Sequence, residues 1–322
     1  MLSITRRQVR CLRPIFRRAT FGIAHRGPAP PIVFANEGSQ LVARCIHAGL
    51  AVEHLLGPIQ GPRELIAMPL DALADFEGRD DSIVTFELNP DDRIIARWTD
   101  HGIPITRDYV AFDSATCPDF PARPERLGPC SLALLDALAE AWQASGEDSV
   151  RYALGSIQLR GTAGEVVATD GCQLLIRSGF RFPWPDDLLV AASPIFTAKG
   201  VSFDRDATIG RSPTHVVIAL GPWTVAIAIR AGVRFPAVAA ILPEPSRIAT
   251  RLDLDPADAS FLADTLDHLP GIDAINAPVT IDLNGKVCVR GSDAEGRHPT
   301  ELILARSGYT GPPIRLVSDR RL

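Results

Sequence analysis

Lysine is almost missing from this 322-residue chain: of 33 basic residues only Lys199 and Lys286 are lysine, and the rest are arginine. Acids are missing from its start. None precedes Glu37, whereas Arg6, Arg7, Arg10, Arg13, Arg17, Arg18 and Arg26 all do, in a chain whose formal net charge is −5. Such asymmetry fits an anionic partner for the N-terminal segment, or a targeting segment. The cysteines (Cys11, Cys45, Cys117, Cys130, Cys172 and Cys288) form no C-x-x-C pair and have no histidine cluster beside them. That argues against a zinc site and shows no secreted disulfide framework, so a reducing, cytoplasmic location is the default expectation. Long apolar runs are missing too. The longest uncharged stretch, Ser212 to Ile229, is broken by Pro213, His215, Gly221 and Pro222 and falls short of the ~20 apolar residues of a membrane helix. No nucleophile elbow, P-loop or dinucleotide glycine fingerprint occurs, and the histidines (His25, His47, His54, His101, His215, His268 and His298) are not at ligand spacing. The expectation is a protein without catalytic residues, cofactor, metal or membrane span.

What is present is a soluble-protein composition, 46% hydrophobic and 22% charged, able to bury a core and wrong for a disordered chain. The length allows two to three domains. Alternation of period two marks strands: Val84, Phe86 and Leu88 within 83–89; Trp223, Val225, Ile227 and Ile229 within 223–230; Val279, Ile281 and Leu283 before an Asn284-Gly285 turn into 286–290. Successive strand residues face opposite sides, so each segment covers one face, and Asn-Gly supplies a tight hairpin turn. These read as antiparallel sheets.

Helices are fewer. Residues 7–18 place Val9, Leu12 and Phe16 at helical spacing among arginines, and residues 131–144 do the same with Leu135, Leu138 and Trp142. Asp255-Pro256 is a cap and first-turn pair for a helix carrying Ala259, Leu262 and Leu266. Asp253, Asp255 and Asp258 could alternatively form a metal cluster; a helix N-terminus, which favours acids, is the stronger reading. A cadence of short helix, strand, turn and strand recurs at about 69–98, 193–230 and 256–290. Proline-rich joints at 117–129 and 242–247 divide the chain into 1–126, 127–245 and 246–322.

The most specific stretch is 150–178, VRYALGSIQLRGTAGEVVATDGCQLLIRS, a three-strand meander with Asp170-Gly171 at its second turn. It resembles the central domain of the bacterial sliding clamp, the β subunit of DNA polymerase III. Arg151, Tyr152 and Leu154 match that family's Arg-Tyr-x-Leu strand. Ala168, Thr169, Asp170, Gly171 and Leu174 match its Ala-Thr-Asp-Gly-His-Arg-Leu turn, with Cys172 and Gln173 replacing His and Arg. A second segment, 234–243, RFPAVAAILP, is similar to the family's Arg-Phe-Pro-Asp-Tyr…Leu-Pro, with Ala237 and Val238 replacing Asp and Tyr. The start resembles the clamp's opening strand and helix with a Leu-x-Pro break at Leu12, Arg13 and Pro14. This match, with Leu2 and Ile4, favours a folded start over an arginine-rich transit peptide.

The resemblance implies an α+β fold of tandem DNA-clamp domains, antiparallel sheets outside and helices on the inner side, with a short third domain lacking the family's C-terminal strand. It implies a non-catalytic processivity factor for DNA replication, with double-stranded DNA bound non-specifically, DNA polymerase and other clamp-binding proteins as partners, and a homodimer ring. DNA would be held by Arg6, Arg7, Arg10, Arg13, Arg17 and Arg18. Partner peptides would enter a pocket between the second and third domains, carried over to Arg151, Leu154, Thr169, Gly171, Cys172, Gln173, Leu174, Pro236 and Ile241. One feature pulls the other way. The 131–144 helix has Asp136 and Glu140 and no cation, and residues 252–285 carry acids and no Lys or Arg. The alternative is a clamp-fold interaction protein that no longer encircles DNA.

Overall fold

The computed structural model describes residues 1–20, 30–149, 151–198, 207–242, 244–271, 277–292 and 299–319. His25, Arg26, Val150, Lys199, Pro243 and His298 lie outside them. Two compact units form, Met1–Pro236 and Ala237–Leu322. The joint expected at 126 falls inside the first unit, and the one expected at 245 lies nine residues past its end.

The first unit is one pattern used four times: an opening strand, a helical turn, then a three-strand meander. The first copy is β1 (Leu2–Thr5), α1 (Arg6–Ala19), β2 (Pro31–Asn36), β3 (Gln40–His47) and β4 (Leu50–Pro58). The second is β5 (Glu64–Pro69), α2 (Leu73–Phe76), β6 (Ile83–Leu88), β7 (Arg93–Asp100) and β8 (Ile103–Val110). The third is β9 (Leu127–Pro129), α3 (Leu132–Gln143), β10 (Ser156–Arg160), β11 (Glu165–Thr169) and β12 (Leu174–Ser178). The fourth is β13 (Asp187–Ala191), a 3-10 turn at Pro194–Thr197, β14 (Thr208–Arg211), β15 (His215–Leu220) and β16 (Trp223–Ala228).

Opening strands are exchanged. β1 joins the second meander as β1-β6-β7-β8, β5 joins the first, β13 joins the third as β12-β11-β10-β13, and β9 joins the fourth. The first and fourth meanders then fuse through β4 and β16 into one sheet, β5-β2-β3-β4-β16-β15-β14-β9. Every pairing is antiparallel. At the fusion Trp223 stands opposite His54, Val225 opposite Val52 and Ile227 opposite Leu50. A continuous apolar core runs beneath, from Phe16, Phe34, Phe76 and Phe86 to Leu138, Ile157 and Ile218.

The helices form where the arginine and leucine spacing places them. Thr5 caps α1 reciprocally with Gln8: its Oγ1 accepts from the Gln8 N–H at 3.1 Å, and its own N–H donates to Gln8 Oε1 at 2.8 Å. This capping box satisfies two orphan donors of the first turn. Val9, Leu12, Ile15 and Phe16 are buried.

The second unit repeats the pattern once: β17 (Arg251–Asp253), α4 (Pro256–Thr265), β18 (Pro278–Leu283), β19 (Val287–Gly291) and β20 (Thr300–Ile303). β21 (Gly308–Thr310) pairs with β17, and β22 (Ile314–Asp319) joins the meander as β20-β19-β18-β22. β22 thus takes the place that β5 and β13 take in the first unit. Its buried core is small, built on Leu269, Val279, Leu283, Val287, Val289 and Leu304. The three acids before and within α4 are structural. Asp255 caps the helix by accepting from the Ala257 N–H at 2.8 Å. Asp253 pairs with Arg251, and Asp258 accepts from the N–H groups of Arg306 and Ser307 at 2.9 Å each.

Candidate nucleic-acid interface and peptide site

The arginines of α1 separate by face. Arg6 is 7% exposed. Its guanidinium donates to Asp100 at 2.7 Å, to Asp80 at 3.2 Å and to the Glu77 carbonyl at 3.2 Å. It clasps the helix start to the second meander, so Arg6 is not part of a surface that a ligand could reach. This corrects its place among the expected DNA-binding residues. A buried cation needs such partners, because desolvation of an unpaired charge is prohibitive. Arg7 pairs with Asp81 at 3.0 Å and Arg13 with Glu77 at 2.5 Å. Arg10 and Arg17 are exposed, and no carboxylate among the described residues pairs with either. They lie two turns apart, about 10 Å along the axis. Arg17 and Arg18 occupy the last turn, where the helix dipole favours cations.

The other exposed helix faces differ in sign. On α3, Asp136 is exposed and Glu140 pairs with Arg177 of β12 at 2.6 Å. α4 has no cation, and its Phe261 is 53% exposed. Among the described residues, no group of His, Cys, Asp or Glu is placed to hold a metal ion, and no helix is long and apolar enough to cross a membrane.

The second set of residues gathers at the turn between β11 and β12. Gly171 has a φ of +96°, a left-handed conformation that glycine adopts without a Cβ penalty. Asp170 Oδ1 accepts from the N–H groups of Cys172 and Gln173 at 2.8 Å each, and the Gln173 amide donates to Asp170 Oδ2 at 3.1 Å. Burial works to raise the Asp170 carboxyl, but the N–H bonds from Gln173 and Cys172 hold it below its ordinary value. Thr169 is 4% exposed; its hydroxyl donates to the Gln173 carbonyl and accepts from the Gly171 N–H at 3.0 Å. The result is a rigid turn with Cys172 exposed at its tip and Leu174 half-buried at its foot. Leu154 reaches it: a Cβ placed on Gly171 would lie 3.9 Å from Leu154 Cδ1.

Arg151 is exposed, beside a cavity of about 300 Å³ lined also by Tyr152, Arg230 and Arg234. Pro236 is half-buried at the end of the first unit. Ile241 belongs to the second unit and is 70% exposed. The structure therefore brings Leu154, Thr169, Gly171, Cys172, Gln173 and Leu174 together. Arg234 opens the RFPAVAAILP motif, but what brings it to Tyr152, 5.5 Å from guanidinium carbon to ring centroid, is the fold, which no spacing reveals.

No protein-family profile matches the chain, and no curated protein matches it in sequence. Solved structures do match. The DNA polymerase III subunit beta from Pseudomonas aeruginosa superposes with a TM-score of 0.73 at 16% identity, over 99% of this chain and 87% of that one. The DNA polymerase III beta subunit from Eubacterium rectale gives 0.77 at 13% identity over the same shares. The C. crescentus beta sliding clamp, solved with PEG bound at its beta-motif tethering region, gives 0.76 at 16% identity, again over 99% and 87%. The chain has the DNA sliding-clamp fold, a tandem α+β arrangement of antiparallel sheets.

Proposed function

We propose that this protein is a DNA sliding clamp, a non-catalytic processivity factor that holds a DNA polymerase on its template in the cytoplasm, with clamp domains over 1–126, 127–245 and 246–322. The observation that carries the reading is the pairing of this fold with one strongly basic helix. α1 carries Arg7, Arg10, Arg13, Arg17 and Arg18 and no acid of its own; Arg7 and Arg13 are paired with Asp81 and Glu77, and Arg10 and Arg17 are the exposed cations that suit loose attraction to phosphates without base readout. Ring closure has a precedent within the chain. β4 and β16 are each the last strand of a meander, and they pair. β8 and β20 are also last strands, and each is the edge of its sheet. Pairing β8 of one copy with β20 of another would extend the sheets in the same way and blunt two open edges.

The partner site in this proposal is the turn at Thr169–Leu174 with Leu154 and Arg151, where a peptide's apolar anchor would lie against the leucines. The C. crescentus clamp, with a ligand at its motif-tethering region, supports a peptide role for a fold of this kind.

A second reading, a clamp-fold interaction protein that does not encircle DNA, draws on the acidic faces of α3 and α4, which would repel phosphate. Retention on a nicked plasmid decides between them. A clamp stays on the circle at high salt and leaves when the plasmid is linearised. Replacing Arg10, Arg13 and Arg17 by alanine should abolish loading and flatten its salt dependence. Release that ignores DNA ends would favour the second reading.

A further inference from the structure

We propose that a cavity on the outer face of the first meander binds a small neutral apolar molecule, of the size of a single hydrocarbon ring. The site holds whether or not the chain encircles DNA. Ile32 and Phe34 of β2 point into the core, so Val33 faces the other way. Register puts Arg44 and Ile46 of β3 and Leu65 of β5 on that same outer face: Val33 stands opposite Arg44, and Ala35 opposite Leu65. Val33, Ile46 and Leu65 are half-buried there, because the segment after β8 covers them. Its Phe112 N–H donates to the Ala67 carbonyl of β5 at 2.9 Å. Further on, Phe120 joins Ile46 over Ala51, Val217 and Ala226, with the Arg44 guanidinium carbon 5.4 Å from its ring centroid.

Between these two anchors the segment does not close on the sheet. It leaves a cavity of about 110 Å³, walled by Val33, Ile46, Leu65, Cys117, Pro118 and Phe120. Its size and walls select the ligand. An apolar cavity of about 150 Å³ stays dry and takes up benzene or xenon, so this one suits a single ring. Its charged neighbours offer little to an ion. Arg44 is already held by Glu37 and Glu53. Asp119 is exposed, where one ion pair is worth little. A charged ligand would give up its hydration without gaining a buried partner.

The cover can also lift to admit a ligand. Asp113 Oδ1 accepts from the Ala115 N–H at 2.9 Å, the Thr116 hydroxyl donates to the Asp113 carbonyl at 2.7 Å, and the Cys117 N–H donates to the Ser114 carbonyl at 3.2 Å. All three bonds lie within the segment. Among the described residues, no hydrogen bond joins 113–119 to the sheet beneath. This turn can therefore move as a unit between Phe112 and Phe120 without breaking a strand pairing, as weakly tied loops do. Cys117 gives the cavity a reporter of its own. Its thiol is half-buried in the wall, and burial, with Asp113 nearby, pushes it above its ordinary value, so it reacts only as far as reagent can reach it.

Fluorobenzene added to the full chain tests the proposal by fluorine NMR. Expected is saturable line broadening with a dissociation constant on the order of 1 mM. Val33→Phe, which fills the cavity from a half-buried position, should abolish the broadening, and Val33→Ala, which enlarges the cavity, should keep it. A second readout needs no change to the cavity. In a Cys11→Ser/Cys172→Ser background, which removes the two exposed thiols, near-saturating fluorobenzene should slow alkylation of Cys117 by N-ethylmaleimide about threefold or more. Benzoate and benzylammonium at the same concentration should leave that rate unchanged. Absence of saturable broadening, or broadening that persists in a folded Val33→Phe, would overturn the inference. So would binding that leaves Cys117 as reactive as before, which would put the ring elsewhere, and equal protection by either ion, which would remove the preference for a neutral ligand.

Discussion

Arg6 and Arg10 stand four residues apart on one helix and serve opposite ends. One is spent inside the protein and the other faces solvent. Arg6→Ala would empty the buried space that its side chain fills and leave the Glu77 carbonyl without its donor, while Asp80 and Asp100 would turn to water, so it should cost about 1–2 kcal/mol in urea unfolding. Arg10→Ala should change stability by less than about 0.5 kcal/mol. A similar loss for both would mean that the clasp does not hold the helix start. His54 gives the second residue-scale test. It lies against Trp223 with ring centroids 4.2 Å apart, its Nδ1 has no partner among the described residues, and burial lowers its pKa to about 4. The unfolded chain, with an ordinary histidine near 6.5, binds the proton more readily. Stability from keeping His54 neutral is therefore complete above about pH 6.5 and is lost as pH falls towards 4. His54→Gln should reduce the slope of stability against pH in that window; an unchanged slope would show that other groups carry it. Neither role could be read from composition, since an arginine count does not separate engaged cations from free ones, and the partner of His54 is a strand far away in sequence.

At the scale of elements, turns matter more than the strands they join. Gly171 and Gly164 both have positive φ, +96° and +64°, but their surroundings differ. A Cβ on Gly171 meets only Leu154 Cδ1 at 3.9 Å, whereas one on Gly164 would come within 2.2 Å of the Phe180 carbonyl oxygen. Gly171→Ala should cost about 1 kcal/mol, from backbone strain alone. Gly164→Ala should cost roughly 3 kcal/mol or more, because backbone must shift; equal costs in thermal unfolding would contradict this. The meander around these turns was legible in the sequence through Asp170-Gly171, α1 and α3 through the period of the one face that each buries, and α4 through its Asp255-Pro256 start. The strands β2 to β5 were not. Leu50, Ala51, Val52 and Glu53 of β4 are all buried in succession, so alternation is lost when both faces of a strand are covered. The Thr169–Leu174 turn announced itself through Asp170-Gly171, whereas Arg234 joins the site only through folding.

For the whole molecule, the two units differ in how much apolar surface each removes from water. The first has a core spanning four meanders and the second, among the described residues, a cluster of six buried apolar side chains. Small domains bury a smaller fraction of their surface and are correspondingly marginal. Calorimetry should therefore show two transitions, the second unit melting first, and limited proteolysis should leave a resistant fragment close to Met1–Pro236. A single sharp transition would mean that the units unfold as one. Proline-rich joints mark 117–129 and 242–247 in the sequence, but only strand pairing shows that the segments on either side of the first joint share one sheet, through β4 and β16.

That sheet has a consequence for biosynthesis. β4 finds its partner β16 about 170 residues later in the chain, and at about 5–20 residues per second a ribosome needs roughly 10–30 s to deliver it. Throughout that interval the nascent chain carries an apolar strand with its hydrogen-bonding edge open, a template for mispairing with neighbouring copies on the same messenger. The protein's yield in the cell should therefore depend on translation speed and chaperone supply more than its final stability suggests, and slowing elongation between the codons for β4 and β16 should drive the product into aggregates.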